Sequence, residues 1–272
     1  TAFTAAMALL LAHALYKAGL FLVTGIIDHE MGTRELDRFG GLARIMPLTA
    51  IAATLGAVSM AGIPPMIGFA AKELGFKSAL AVEDSTIIVT AALVVAGAAT
   101  VGVAAIASVG PFAGPLKTAR DGGHDPSWAM WLGPIVIGVV GVLAGLVPAL
   151  GSGPLVAAAA EAIGTDQSKY AVEPWYGIDL ALTLSALSIG IGAFVFWRRL
   201  DVRERVARVD WGYRIGPEKV YVLGELTMLS FTKRFTAITQ NGKLRLYLLI
   251  VVATMAALVW LAEHQNYDGS WT

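Results

Sequence analysis

The chain has 272 residues, of which 56% are hydrophobic and 15% are charged, and its formal net charge is zero. Soluble domains carry about 25% charged residues, so the composition indicates an integral membrane protein. The lack of net positive charge gives no reason to expect a nucleic acid partner. The absence of cysteine excludes disulfide bonds and thiolate metal sites.

Segments that are apolar enough to cross a membrane follow one another along the chain. A spanning helix needs about 20 mostly apolar residues, and hydropathy predicts membrane segments at about 2–27, 45–61, 66–82, 86–109, 129–148, 177–197 and 244–262. Residues 151–176 indicate a loop with a short alanine-rich helix. Read as separate crossings, the seven predicted segments would take the chain across the membrane seven times.

The sequence GIPP at 62–65 separates the second segment from the third. Proline lacks a backbone N–H and clashes with the preceding helical turn, so the helix is interrupted by Gly62, Pro64, Pro65 and Gly68. The interruption is either a reversal between two crossings or a break within one crossing. A break at membrane depth is tolerated where the freed backbone groups face protein or water, and transporters place coupling residues beside such breaks.

Two lysines, Lys17 and Lys72, lie inside predicted membrane segments, where a charged side chain costs roughly 2.5–3.5 kcal/mol. His13 lies four residues before Lys17 and shares its helix face. Because a buried lysine can alternate between charged and neutral forms, Lys17, Lys72 and His13 form the candidate proton relay. The structural alternatives are static ion pairs for the lysines and a hydrogen bond to a neighbouring helix for His13.

Glu73 and Lys77 follow Lys72 in the same segment and are possible relay or ion-pair partners. Glu73 points roughly 100° away from Lys72 on a regular helix, so it could pair with another helix. Lys77 lies near the helix end and could instead extend its ammonium to the membrane surface. Elsewhere, Gly141 and Gly145 form a GxxxG pair that permits close helix packing, but such pairs are common by chance in a chain with 30 glycines.

After the sixth segment the sequence changes character, because charges recur throughout. From Pro217 onward, apolar residues recur at helical spacing, which predicts an amphipathic helix in the plane of the membrane surface. The apolar positions are Val220, Leu223, Thr227, Phe231, Phe235 and Ile238. The Lys/Arg bias places this segment and the loop at 110–130 on the cytoplasmic side. Seven crossings would then place the loop at 28–44 outside, although it carries Arg34, Arg38 and Arg44.

Two stretches, HALYKAGLFLVTGIIDHEMGTREL at 13–36 and MAGIPPMIGFAAKELGF at 60–76, resemble a known family. They are similar to the antiporter-like subunits shared by respiratory complex I and the Mrp-type multisubunit Na+/H+ antiporters. Within that family, GIIDHEMGTREL and the later QNGKLRLYL at 240–248 look most like the A-type subunit of the Mrp antiporters. The resemblance implies paired helix bundles, each with a broken helix, and a central chain of lysines, histidines and one glutamate that conducts protons.

On that pattern, His13 and Lys17 match the histidine and lysine of one family motif, and Lys72 matches the lysine of the broken helix. Ala71 stands where relatives often have serine. The predicted fold is an all-α, polytopic membrane bundle with a broken helix near Pro64–Pro65 and an in-plane lateral helix. The predicted parts are half-channel helices at 1–110, further membrane helices at 111–200, a cytoplasmic-side lateral helix at 201–242, and a final membrane helix with a polar tail at 243–272. The chain is expected to be a piece of a longer subunit.

The predicted function is that of a proton-translocating subunit in the bacterial plasma membrane, where inward H+ movement along a Lys/His/water relay is coupled to Na+ export. The expected partners are the other subunits of the antiporter complex, the lipid bilayer, Na+ and H+. We expect neither nucleic acid, cofactor nor metal, and we expect a secondary transporter rather than an enzyme. Two alternatives stay open: a proton-pumping subunit of a complex I-type enzyme, and a structural scaffold subunit of a membrane complex.

Overall fold

The structure is a computed structural model that describes residues 2–82, 86–117, 126–163, 171–207, 216–239 and 244–264. Throughout these ranges the chain forms helices and connecting turns, without a strand, and the predicted all-α fold is confirmed. Three predicted parts lie outside the described residues. They are the polar turn at 83–85, the middle of the loop at 110–130, and residues 240–243, the polar start of QNGKLRLYL.

The chain divides into two compact units, Thr1–Val202 and Arg203–Thr272. Short 3₁₀ turns lie at Leu36–Arg38, Leu42–Arg44 and Pro148–Leu150, and a helix that we number α8 covers Arg199–Ala207. The membrane helices and one short helix of the first unit are α1 (Ala2–Met31), α2 (Pro47–Ala61), α3 (Ile67–Leu80), α4 (Thr86–Phe112), α5 (Trp128–Leu146), α6 (Ser152–Glu161) and α7 (Leu180–Trp197).

The second unit holds α9 (Pro217–Thr239) and α10 (Leu244–His264). Helix α9 is the predicted amphipathic helix, and large apolar side chains such as Leu223 and Phe231 are exposed within the unit. It is not among the described helices that are long and apolar enough to span a bilayer, because charged residues interrupt it. Its position in the plane of the membrane stays a prediction.

Five described helices are long and apolar enough to cross a membrane: α1, α4, α5, α7 and the Tyr247–His264 part of α10. Helices α2 and α3 have only 15 and 14 residues. Each is shorter than the roughly 20 residues that a complete crossing needs. The chain is therefore a multi-pass membrane protein, but the predicted segments at 45–61 and 66–82 do not each form a full-length span.

Helices α2 and α3 lie one after the other along α1, and both run antiparallel to it. The C-terminal half of α1 packs on α2, where Val23 and Ile27 share a core cluster with Ala53. The N-terminal half packs on α3, where Ala5 and Ala8 share a cluster with Leu74. The first turn of α3 lies beside the last turn of α2, so only about 12 residues of each helix add to their combined length along α1. At 1.5 Å per residue that length is roughly 36 Å. Together they form one broken crossing of a bilayer core about 30 Å thick.

The reversal at GIPP, one of the two alternatives for 62–65, is therefore wrong, and the break lies within a crossing. This removes one crossing from the predicted seven and moves the loop after α1 to the other end of the bundle. The structure shows that loop beside the loop after α4: Gly41 donates its N–H to Ala113 O at 2.9 Å, and Lys117 donates its N–H to Gly40 O at 3.2 Å. The two loops thus share one side of the membrane.

Helix α7 ends on the same side as α4, because the two helices run parallel. Gly97 of α4 faces Ser188 of α7, and further along Gly192 of α7 faces Val101 of α4. The described Lys and Arg residues that gather at this end are Arg34, Arg38, Arg44, Lys117, Arg198 and Arg199. With one crossing fewer, the loop at 28–44, the loop at 110–130 and the segment after α7 all fall on one side of the membrane. This accords with the Lys/Arg bias of cytoplasmic loops.

Candidate functional site

The break between α2 and α3 begins with a specific backbone turn. Gly62 has a φ of +70°, its N–H donates to Ser59 O at 3.0 Å, and the Ile63 N–H donates to Val58 O at 3.1 Å. This pair of bonds is the Schellman arrangement that ends a helix, and glycine adopts the left-handed conformation that it needs. In an uninterrupted helix the N–H of residue 65 would bond Ala61 O, and Pro65 has no N–H to give.

Lys72 supplies the missing donor. Its Nζ donates to Ala61 O at 2.9 Å, so the lysine reaches back from α3 to the open carbonyl end of α2. The approach depends on Gly62, where a Cβ would lie 2.6 Å from Lys72 Cε. Helix C-terminal carbonyls carry partial negative charge, which stabilises a cation placed beside them. The break and the lysine therefore form one structural unit.

Two further glycines close the helices around the break. A Cβ at Gly68 would lie 1.8 Å from Ser59 O, and a Cβ at Gly145 of α5 would lie 2.2 Å from Pro65 O. No side chain fits at either position without moving backbone. By contrast, Gly141, the other half of the GxxxG pair, has nothing within 4 Å of its Cβ position. Of the two GxxxG glycines, Gly145 thus packs directly on the backbone of the break and Gly141 does not.

A cavity of about 200 Å³ lies against Lys72, among helices α1 to α4. Tyr16, Ser59 and Thr100 contribute hydroxyl-bearing side chains to its lining. The Ser59 hydroxyl is buried and has no hydrogen-bond partner in the described part of the chain. Most of the lining is apolar, but the volume has room for several water molecules, and the hydroxyls and the Lys72 ammonium offer the polar partners that each water needs. The geometry therefore suits a short chain of water molecules that ends at the Lys72 ammonium.

Glu73 lies on the other side of α3, toward α7. Its side chain is buried, with 1% of the residue exposed, and it lies near Ser185 of α7. Oε1 of Glu73 and Oγ of Ser185 have no hydrogen-bond partner among the described residues. An acidic side chain buried this deeply is rare unless it is paired or serves a function.

Lys77, one turn beyond Glu73, is held in an ion pair. Its Nζ lies 2.8 Å from Asp179 Oδ2, donates to Tyr176 O at 3.3 Å and lies 5.0 Å from the centre of the Tyr176 ring. Asp179 also caps α7, because Oδ1 accepts the Leu182 N–H at 3.1 Å. Lys77 thereby ties the end of α3 to the start of α7.

Both partners of Lys77 stay in one protonation state near neutral pH. The hydrogen bond from Lys77 holds the pKa of Asp179 below its usual value. Burial raises the pKa of Tyr176 to about 12, and its hydroxyl donates to Ala171 O at 2.9 Å. Asp179 is therefore ionised and Tyr176 neutral, which suits a fixed tie between helices.

His13 and Lys17 do not join Lys72 in the cavity. His13 is exposed and Lys17 half-buried, on a face of α1 that turns away from α2 and α3. The Lys17 ammonium lies 5.6 Å from the centre of the Phe21 ring. His13 does reach inward indirectly, because its Nδ1 lies 3.0 Å from Tyr16 Oη. Of the predicted site residues, the structure brings Lys72 and the break together and leaves His13 and Lys17 on the outer face.

Residue-level reasoning missed Tyr16, Ser59, Tyr176 and Asp179. Two of them carry a local signal: Tyr16 stands between His13 and Lys17 in HALYK, and Asp179 directly precedes an apolar run, which is where a helix-capping residue is expected. Ser59 and Tyr176 carry none, because their roles depend on which helix packs beside them.

Comparison with known proteins gives consistent results. Residues 1–100 match the family described as NADH:quinone oxidoreductase/Mrp antiporter, TM. Over 273 residues the chain is 30% identical to the A1 subunit of a Na+/H+ antiporter from Staphylococcus saprophyticus, covering 94% of this chain and 33% of that protein. Over 197 residues it is 34% identical to the A/B subunit of a probable K+/H+ antiporter from Rhizobium meliloti, covering 68% of this chain and 19% of that protein.

A solved structure of the Mrp complex from Dietzia sp. DQ12-45-1b contains a chain that superposes on this one with a TM-score of 0.67 and 28% identity. The match covers 96% of this chain and 28% of that chain. The chain thus spans about a third of the length of the Staphylococcus relative and a smaller share of the Dietzia chain.

The fold and the lysine at the helix break define a multi-pass, all-helical cell-membrane protein of the antiporter-like type. Residues 1–100 match the family that the Mrp antiporters share with NADH:quinone oxidoreductase, and the predicted resemblance of the chain to the A-type subunits of Mrp antiporters is confirmed.

Proposed function

We propose that the chain is the part of a multisubunit cation/proton antiporter through which protons move, and that Lys72 is the group that binds and releases them. One observation carries the proposal: the Lys72 ammonium is bonded to the neutral carbonyl of Ala61 beside a cavity of about 200 Å³ whose lining includes Tyr16, Ser59 and Thr100. A carbonyl stabilises the charged lysine without the full opposite charge of a carboxylate. The proton can therefore pass to a cavity water and return.

Glu73 is the second group in this proposal. Its carboxylate is buried next to Lys72 in sequence but faces α7 and lacks a partner for Oε1 among the described residues. A buried ionisable residue in a membrane segment is by default a functional candidate. Glu73 would take a proton that leaves Lys72 toward α7, while Lys77 and Asp179 hold the two helices at a fixed separation.

His13 and Lys17 would act on the face of α1 that this chain leaves exposed. Charged and titratable groups at membrane depth face protein or water rather than lipid. We therefore infer that another part of the antiporter complex covers this face and exchanges protons with it. The relatives named above belong to antiporters with several subunits, so the partners in this proposal are further subunits of such a complex.

The direction and the coupled ion belong to the same proposal. H+ would move inward and Na+ outward, as in a secondary transporter without redox or hydrolytic chemistry. One relative is named for Na+/H+ antiport and another for K+/H+ antiport, so both cations enter the test. The Lys/Arg-rich end of the bundle, which holds Arg38 and Lys117, would face the cytoplasm.

The test uses inside-out vesicles that contain the complete complex and a pH-sensitive dye. After energisation, NaCl or KCl is added to vesicles with native Lys72 or with Lys72→Ala, and the amount of assembled complex is measured in each sample. We expect the native complex to dissipate ΔpH and the assembled Lys72→Ala complex to lose this activity by about 10²-fold or more, as removal of a proton-transfer group does.

Each other result has a separate meaning. If neither cation affects the native complex, and ΔpH instead follows an electron donor, the redox-pump alternative replaces antiport. If assembled Lys72→Ala transports normally, Lys72 is not the relay group. If Lys72→Ala prevents assembly while the few assembled complexes transport normally, the scaffold alternative holds.

A further inference from the structure

Tyr16 connects the two parts of the candidate relay that the structure separates. We propose that Tyr16 passes protons between His13, on the outer face of α1, and the cavity that contains Lys72. This inference rests on the proposed function, because it concerns the same proton route. It adds a residue and a path to that route, since Lys17 itself does not reach the cavity.

The position of Tyr16 on α1 makes the connection possible. Ala12 and Leu20, one turn before and one turn after it, are buried against neighbouring helices, whereas His13 is exposed. Tyr16 lies at the border between these two faces and is half-buried. Its side chain lines the same cavity as Lys72.

The contact with His13 is direct. Tyr16 Oη lies 3.0 Å from His13 Nδ1, and the two rings meet edge to face, with centroids 5.2 Å apart and planes at 65°. Residues three apart on a helix are neighbours on its surface, so the helix itself maintains this distance. Tyr16 thus contacts His13 through its hydroxyl and is also one of the residues that line the Lys72 cavity.

A phenol hydroxyl can carry a proton without being ionised, because it is both a donor and an acceptor. When protonated His13 donates from Nδ1 to Tyr16 Oη, the hydroxyl passes its own proton to a cavity water. The N–H bond at His13 breaks, a new O–H bond forms at Tyr16, and the original O–H proton moves to the water. Tyr16 is again neutral with one proton, His13 is neutral, and the extra proton lies in the cavity, where the neutral Lys72 amine accepts it.

Lys17 is less suited to this step. Its ammonium lies over the Phe21 ring at 5.6 Å, on the outer face, and it does not line the Lys72 cavity. Phenylalanine at position 16 would fill the same space but could neither accept nor donate a proton. The hydroxyl is therefore the feature to remove.

The experiment measures Na+-dependent ΔpH dissipation by the complete complex with Tyr16→Phe, His13→Ala or both substitutions. Tyr221→Phe on α9, whose side chain is exposed, is the matched control for loss of a phenol hydroxyl. We expect Tyr16→Phe to lose about tenfold or more of the native rate at unchanged assembly. The double variant should be no slower than the slower single variant, because groups that act in one step are non-additive. Tyr221→Phe should transport as the native complex does.

Normal transport by Tyr16→Phe would overturn the inference, and so would a double variant whose loss equals the product of the two single losses. Loss of assembled Tyr16→Phe complex with normal transport per complex would assign Tyr16 a purely structural role. These outcomes are separable from failure of the proposed function. If Lys72→Ala abolishes transport while Tyr16→Phe does not, only the tyrosine path is wrong, whereas a native complex indifferent to Na+ and K+ removes both.

Discussion

Lys72 and Lys77 lie on the same short helix, yet their surroundings differ in the feature that decides what each can do. Lys72 donates to a neutral carbonyl at the helix break and lines a hydroxyl-bearing cavity. Lys77 is 2.8 Å from the carboxylate of Asp179 and lies over the Tyr176 ring. A carboxylate partner holds the proton on a lysine, whereas a carbonyl partner leaves it free to move.

Helix geometry explains why two neighbouring lysines diverge. Five residues advance an α-helix by roughly 7.5 Å and turn it by about 140°. Lys72 therefore faces the junction of α1, α2 and α4, while Lys77 faces the start of α7 near the end of the bundle. A charge at the end of a helix can be paired at low cost, but a charge beside a mid-crossing break is retained where it performs a function.

The largest predicted effect concerns transport. Lys72→Ala should abolish it, whereas Lys77→Ala should change the rate per assembled complex by less than about fivefold, since a partly exposed ion pair contributes at most about 1 kcal/mol. The same ΔpH assay measures both variants. Asp179→Asn tests the Lys77–Asp179 ion pair by removing the charge of the other partner. Equal loss of transport in Lys72→Ala and Lys77→Ala would remove the distinction between a relay lysine and a structural one.

The second prediction tests whether Lys72 lies at mid-membrane. The chain has no native cysteine, so single cysteines report sidedness directly. With the break inside one crossing, Arg38→Cys and Lys117→Cys should react with an impermeant thiol reagent from the same side, and Glu161→Cys from the opposite side. A reversal at GIPP would bring Lys72 toward a membrane surface, and Arg38→Cys and Lys117→Cys would then react from opposite sides.

The third prediction concerns the packing that encloses the break. Gly145→Ala should destabilise the complex by about 1–3 kcal/mol, because the new methyl group would collide with the backbone at Pro65. Gly141→Ala is the matched control, since its Cβ position is open. The melting midpoint and the yield of assembled complex measure both variants. Equal melting midpoints and yields of Gly145→Ala and Gly141→Ala would show that α5 does not pack closely on the backbone at Pro65.

Much of the Lys72 site is predictable from sequence, because its signals are local. A lysine in an apolar segment and two adjacent prolines indicate an intramembrane charge beside a helix break without any knowledge of neighbours. The hydrogen bond to Ala61 is also consistent with that sequence, since Pro65 removes the N–H that the carbonyl would otherwise accept.

The remaining features depend on which surfaces meet. Whether GIPP is a reversal or a break is decided by the packing of both α2 and α3 on α1, which hydropathy does not contain. The sequence did contain one indication against seven crossings: they would place the three arginines of the loop at 28–44 outside, against the Lys/Arg bias of cytoplasmic loops. Similarly, His13 and Lys17 share a helix face, as predicted, but only the tertiary packing shows that this face turns away from Lys72 and that Tyr16 lies at its border.

The smallest predicted effect concerns the Lys77 tie and its pH dependence. Asp179→Asn keeps a good helix-capping residue but removes the charge. The pKa of Asp179 is lower in the folded chain than the value of about 3.9 in an unfolded one, so the ion pair stabilises the fold above that value. The contribution disappears as pH falls through the lower, folded-state pKa.

The side chains of Lys77 and Asp179 are 25% and 37% exposed, which limits the stabilisation at pH 7 to about 0.5–1 kcal/mol after solvent screening. Asp179→Asn should therefore lower the melting midpoint of the purified complex by about 1–4 °C at pH 7, and the difference should disappear as the pH falls below 3.8 and through the lower, folded-state pKa of Asp179. Adding Lys77→Ala to Asp179→Asn should cause little further loss, because the pair is already broken. A deficit that persists unchanged at low pH would mean that the charge of Asp179 is not what stabilises the fold. In that case Lys77 is anchored by the Tyr176 carbonyl and ring, and the contrast with Lys72 rests on position along the helix rather than on the charge of the partner.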